Sequence, residues 1–95
     1  MSAHPHRAIE ITRPAARTLR RLKSDQELLG RVDDAIRGLA VDPRPKGCKK
    51  LKGRQFQNLY RIRVGDWRIL YAVEDDRLIV LILEIVRRDQ AYRSR

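Results

Sequence analysis

Eight basic side chains (Arg44, Lys46, Lys49, Lys50, Lys52, Arg54, Arg61 and Arg63) fall between Asp42 and Asp66, and no acidic residue interrupts them. The last of them lie in a strict alternation, Tyr60-Arg61-Ile62-Arg63-Val64. Strand side chains point alternately to opposite faces, so this pattern puts the apolar residues on one face and both guanidiniums on the other. Parallel arginines on a rigid sheet offer forked N–H donors to phosphate oxygens. Their chemistry is phosphate binding and the stabilisation of developing negative charge. That geometry, more than bulk charge, points to a nucleic-acid substrate.

Composition narrows the partners further. The chain has 95 residues, enough for one domain spanning 1–95, and its 42 % hydrophobic content is that of a folded protein. A net charge of +10 implies an acidic partner. The charge is uneven: residues 1–42 carry eight basic and six acidic side chains, net +2, and residues 43–95 carry fourteen and six, net +8. No apolar run approaches the ~18 residues of a membrane span, and no basic amphipathic helix bears large aromatics, so membrane binding is a poor reading. Cys48 is the only cysteine, and His4 and His6 lack a third ligand at useful spacing. Neither a metal nor a cofactor is therefore expected. The first residues lack an apolar signal core, which points to the cytoplasm.

The elements that must position the arginines follow from periodicity. Ala8–Thr12 alternates as a short strand, and Thr12 can cap a helix that tolerates Pro14 in its first turn. Ala15, Leu19 and Leu22 recur at helical spacing. Ser24-Asp25-Gln26-Glu27 fits a capping box opening a second helix, whose apolar stripe is Leu28 or Leu29, Val32, Ile36 and Leu39. Asp33 and Arg37 can pair on its outer face, and Asp42-Pro43 stops it. After a basic loop from Lys46 to Asn58, Leu59–Val64, Trp67–Val73 and Leu78–Val86 read as three strands joined by tight turns. The expected fold is α+β: an N-terminal strand, a helical hairpin, and an antiparallel sheet in the order β-α-α-β-β-β.

Leu51-Lys52-Gly53, the block Tyr60–Tyr71 (YRIRVGDWRILY) and Arg87–Arg93 (RRDQAYR) closely resemble the RelE/ParE superfamily of bacterial toxin–antitoxin toxins, in the right order over almost the whole chain. The resemblance implies helices on one face of a twisted sheet and a basic active surface on the other. It implies mRNA cleavage in the ribosomal A site without a metal, and silencing by an antitoxin that wraps the toxin in a hetero-oligomer. The family's catalytic positions fall on Arg61, Arg63, Arg68 and Arg87, with Arg88 the competing match one residue on, and the C-terminal tyrosine falls on Tyr92. There are two departures. The best-known RelE pattern has lysines where this chain has Arg61 and Arg63, and arginine, with a pKa above ~12, cannot serve as a base. Nor does the chain hold an obvious counterpart of the Glu–His pair of other members, so the base must be sought elsewhere, or substrate and ribosome must supply it.

On that resemblance Arg61 and Arg63 bind the scissile phosphate, Arg68 clamps it from the neighbouring strand, and Arg87 approaches from a strand end. Tyr92 stacks on a base or exchanges a proton. Lys49, Lys50, Lys52, Arg54 and Arg88 contact RNA, with Lys50 and Lys52 serving alternatively as reserve acid–base groups. Plainer roles stand beside these. The lysines form a non-specific phosphate-contacting loop, Arg68 is structural, Tyr60, Trp67, Ile69 and Tyr71 are core, and Arg17, Arg20 and Arg21 are a solvated helix face. Three functions compete: a ribosome-dependent mRNA endonuclease, a ParE-like inhibitor of DNA gyrase without nuclease chemistry, and a non-enzymatic RNA-binding module. The last lacks the exposed aromatics that stacking platforms use. Charge also implies an acidic antitoxin covering the basic face.

Overall fold

The structure, a computed structural model, describes residues 6–52 and 58–91, with side chains as far as Asp89. Strand β1 (Ala8–Ile11) leads into helix α1 (Arg13–Arg21) through Thr12. The Thr12 hydroxyl accepts from the Ala15 amide at 3.3 Å and donates to the Leu83 carbonyl at 2.7 Å, so one side chain starts the helix and ties it to the sheet. A 3-10 turn, Leu22–Ser24, separates α1 from α2 (Gln26–Val41). The cap of α2 is Asp25, which accepts from the Leu28 amide at 3.1 Å. Ser24, expected to cap it, instead donates to the Arg21 carbonyl within the 3-10 turn. Val32, Ile36 and Leu39 are buried as the stripe predicts, and Arg37 and Asp33 pair at 3.0 Å.

Strands β2 (Lys49–Leu51), β3 (Leu59–Val64), β4 (Trp67–Glu74) and β5 (Ile79–Arg87) complete the sheet, and a short helix α3 (Arg88–Ala91) follows. The five strands lie in the order β1-β5-β4-β3-β2. The helical hairpin and α+β class agree with the sequence-based expectation, and two details differ. The sheet is mixed, because β1 runs parallel to β5. The expected basic loop contributes an edge strand, β2, antiparallel to β3.

One face of the sheet packs under the helices. Tyr60, Ile62 and Val64 from β3, Ile69, Tyr71 and Val73 from β4, and Val80, Ile82 and Ile85 from β5 form the core with Ala15, Leu22, Val32, Ile36 and Leu39. The last inward step on β5 is three residues rather than two. Leu70 pairs with Glu84 and Tyr71 with Ile82, so a bulge takes up Leu83. Beyond it the parity of β5 reverses. Glu84 and Val86 join the face away from the helices, while Arg87, paired with Trp67, shares the helix side.

Two local devices hold the hairpins. Gly65 has φ +59° at the first central position of the Gly65-Asp66 turn, the place a type II′ turn reserves for glycine. At the other end of the sheet, Asp75 accepts from Arg7 at 3.1 Å and from Arg44 at 2.9 Å. Arg44 also donates to the Tyr60 hydroxyl at 2.8 Å with its guanidinium 5.2 Å from the ring centre. Tyr60 stacks on Tyr71, whose hydroxyl donates to the Pro43 carbonyl at 2.7 Å. This cluster fixes the path of the chain from α2 into β2. Among the described residues no helix is long and apolar enough to cross a membrane.

Candidate functional site

The face of the sheet away from the helices is organised by register. One cross-strand row reads Lys49, Arg61, Leu70, Glu84, and the next reads Arg63, Arg68, Val86. Adjacent strands are about 4.8 Å apart, so each row compresses its charges into a narrow band. Arg63 is exposed and stands directly opposite Arg68. Like charges in that relation oppose one another, and a bound anion between them relieves both.

Arg68 is only 4 % exposed. Its guanidinium donates from one terminal nitrogen to the carbonyls of Gly65, at 3.3 Å, and Trp67, at 3.1 Å. Its buried Nε finds no acceptor, and no carboxylate pairs with it among the described residues. The β3–β4 turn therefore holds in place a cation that its carbonyls orient and that no carboxylate among the described residues neutralises. Arg61, half-buried, lies between Lys49 on β2 and Leu70 on β4.

The remaining sequence-derived residues divide. Lys49 joins the arginine row, whereas Lys50 pairs with Tyr60 and so shares the opposite face. Lys52 is exposed just past β2. Arg87 is separated from Arg61 and Arg63 by the parity change in β5 and lies on the Trp67 side. Arg88 opens α3, its amide donating to the Asp66 carbonyl at 2.7 Å, which brings the start of that helix against the β3–β4 turn beside Arg68. Arg54 and Tyr92 lie outside the described residues. Tyr60, Ile69 and Tyr71 are core and Trp67 packs against it. Arg17, Arg20 and Arg21 are exposed on α1. Burial raises the Tyr71 phenol well above its ordinary pKa, and the hydrogen bond from Arg44 lowers the Asp75 carboxyl below its own. Among the described residues no cluster of His, Cys, Asp and Glu has the makeup of a metal site.

Sequence reasoning passed over Glu84. The signal was present: it is the one charged residue within the run Leu78–Val86, LIVLILEIV. Strict alternation would have turned it inward beside Ile82; the bulge turns it toward the arginines.

Comparisons with known proteins return toxins of one family. Residues 9–92 match the family model described as the ParE toxin of the type II toxin–antitoxin system parDE. The chain is 34 % identical to the toxin RelE of Mycobacterium tuberculosis over 90 residues, 95 % of this chain and 89 % of that protein. It is 36 % identical over 69 residues to a RelE1 toxin of Methanocaldococcus jannaschii, 70 % and 74 % of the two chains. Among solved structures, the archaeal RelE–RelB complex from Pyrococcus horikoshii superposes with a TM-score of 0.76 at 26 % identity, covering 87 % of this chain and 96 % of that one. The chain belongs to the RelE/ParE family of type II toxin–antitoxin toxins and is RelE-like.

Proposed function

We propose that this toxin is a ribosome-dependent mRNA endonuclease that arrests translation by the metal-free route its family resemblance implies. In that route a 2′-hydroxyl attacks the adjacent phosphorus in line, and the 5′ oxygen leaves. The enzyme must align the groups and stabilise the charge gained by the phosphate. The observation that carries the proposal is the Arg63–Arg68 pair, two guanidiniums in direct cross-strand register with no carboxylate between them, flanked by Arg61 and Lys49 in the next row. Arg61 and Arg63 hold the non-bridging oxygens. Arg68, tethered to the turn, fixes the local potential and clamps from behind. Arg88 fits the strand-end role better than Arg87 does, because of the parity change. Tyr92 stacks on a base or passes a proton, and Lys49, Lys50, Lys52 and Arg54 contact RNA backbone.

The basic face also calls for an acidic protein partner. The RelE of Pyrococcus horikoshii crystallised with RelB, which supports a cognate antitoxin and a hetero-oligomer for this chain too. Its site of action would be the cytoplasm, where ribosomes translate. A second reading, inhibition of DNA gyrase, is favoured by one specific finding: the matching family model is described as ParE.

Induction in bacteria separates the two. Cleavage of translated messages within codons is the expected result, abolished by the Arg61→Ala, Arg63→Ala double substitution. DNA double-strand breaks and an SOS response without message cleavage overturn the nuclease proposal. Cleavage unchanged in the double variant overturns the site assignment.

A further inference from the structure

We propose that Glu84 is the general base of this site, taking the proton from the attacking 2′-hydroxyl. This inference rests on the nuclease function proposed above and supplies the group that the arginines cannot.

Three observations converge on it. First, Glu84 occupies the same row as Arg61, with Leu70 as the floor between them. Across two strand spacings their Cα atoms are about 10 Å apart. Both side chains rise from the same face on either side of Leu70, a spacing on the scale of one phosphodiester and its neighbouring ribose. Second, Glu84 reaches this face only through the bulge at Leu83. Bulges are enriched beside active sites, where they re-aim a side chain. Third, Glu84 is half-buried yet forms no hydrogen bond or ion pair with any described residue. A carboxylate held for structure on so basic a face would be expected in a salt bridge. Asp75 makes two, Asp33 and Glu74 make one each, and Glu84 makes none with a described residue.

Tyr60 and Tyr71 are buried in the core, and His6 precedes β1 at the far edge of the sheet. The charged groups on the elements around Glu84 are Arg68 on β4, Arg61 beyond Leu70, Glu10 on β1, and Arg88 and Asp89 at the start of α3.

The step balances as follows. The O2′–H bond breaks and the proton moves to a Glu84 carboxylate oxygen. O2′ forms its bond to phosphorus while the P–O5′ bond breaks, leaving its electron pair on O5′. O5′ takes a proton from water, and the hydroxide so formed takes the proton from Glu84. The products are a 2′,3′-cyclic phosphate and a 5′-hydroxyl. Arg61 and Arg63 stabilise the phosphorane charge from one side of Leu70 while Glu84 works from the other.

The test is single-turnover cleavage of mRNA on programmed ribosomes across a pH series, with ribosome affinity measured in parallel. Positioned acid–base groups contribute about 10²–10⁴-fold, so Glu84→Gln should slow cleavage by about 10²–10³ with affinity unchanged. The acid limb of the wild-type pH profile should vanish with it. A structural role would not move that limb. Glu84→Asp, which keeps a carboxylate on a shorter stem, should cleave more slowly than wild type while retaining the limb, and it decides the matter if the glutamine variant fails to fold. Glu10→Gln, a carboxylate change one strand away, should leave the rate unchanged. Wild-type cleavage with Glu84→Gln within about threefold overturns the inference alone, as does Glu84→Asp without an acid limb. Failure of the wild type to cut any ribosome-bound message overturns the proposed function, and the general base with it.

Discussion

Replacing Arg63 by glutamate should make the protein more stable while destroying its activity. Arg63 and Arg68 occupy directly opposed positions on β3 and β4. Side chains so placed have Cβ atoms about 4.5–5.5 Å apart. For two unit charges at a separation of about 6 Å the repulsion is about 0.7 kcal/mol at the dielectric constant of water and about 2.8 kcal/mol at an effective value near 20. Arg63 is exposed, so the lower figure applies. Reversing one sign converts repulsion into attraction, a swing of about 1.4 kcal/mol, and a Debye length of about 8 Å at physiological salt roughly halves it. Arg63→Glu should therefore gain about 0.7 kcal/mol, or about 3–6 °C in Tm for a domain of this size. Arg63→Gln should gain about half as much. The assay is thermal or urea unfolding of the purified toxin at low salt and again near 1 M, where a Debye length of about 3 Å should erase the difference. A destabilised Arg63→Glu, or a gain that survives high salt, would show that the two cations do not face each other. The anion site inferred from them would go with it.

Other outcomes can be checked on the same protein. Tyr71→Phe removes the hydroxyl that satisfies the buried Pro43 carbonyl and should cost about 1–3 kcal/mol in urea unfolding; an unchanged midpoint would contradict that bond. The Asp75 carboxyl titrates below its unfolded value because Arg44 and Arg7 bond to it, so the stability it contributes is present above about pH 4 and is lost as pH falls through the depressed folded pKa. Asp75→Asn should accordingly be less stable than wild type near neutrality, and the gap should close on acidification; a gap constant with pH would remove the linkage. Leu78 holds φ +54° at the β4–β5 turn with 42 % of its surface exposed. Leu78→Gly should relieve a left-handed strain of about 1–2 kcal/mol against an entropic loss of about 0.5–1, a modest net gain. Lower stability of that variant would mean that the exposed side chain packs better than its surface suggests.

Much of this architecture was legible because period and punctuation agreed. The Thr12 cap, the Val32-Ile36-Leu39 stripe, the stop at Asp42 and the Gly65-Asp66 turn are local features, and each is where the residues say it should be. What escaped depends on contacts distant in sequence. Alternation in Ala8–Ile11 identifies a strand but not its neighbour, so its parallel pairing with β5 had no local signature. Lys49–Leu51 is short and basic, and it is extended because β3 offers it a free edge. The same limit applied to the site. Arg61 and Arg63 followed from their own alternation. The faces of Glu84, Arg87 and Arg88 hang on one extra residue at Leu83, and a string of Leu, Ile and Val conceals where a ladder slips. The burial of Arg68 depends on the carbonyls of a turn, which composition does not reveal.

The parallel seam between β1 and β5 joins residues as far apart as Thr12 and Leu83. Long-range pairing of this kind forms late and slowly, because the intervening chain must be gathered before any contact rewards it. During synthesis the first strand leaves the exit tunnel with no partner and waits until β5 has emerged. The seam thus closes only after β3 and β4, with their arginines, have already been made.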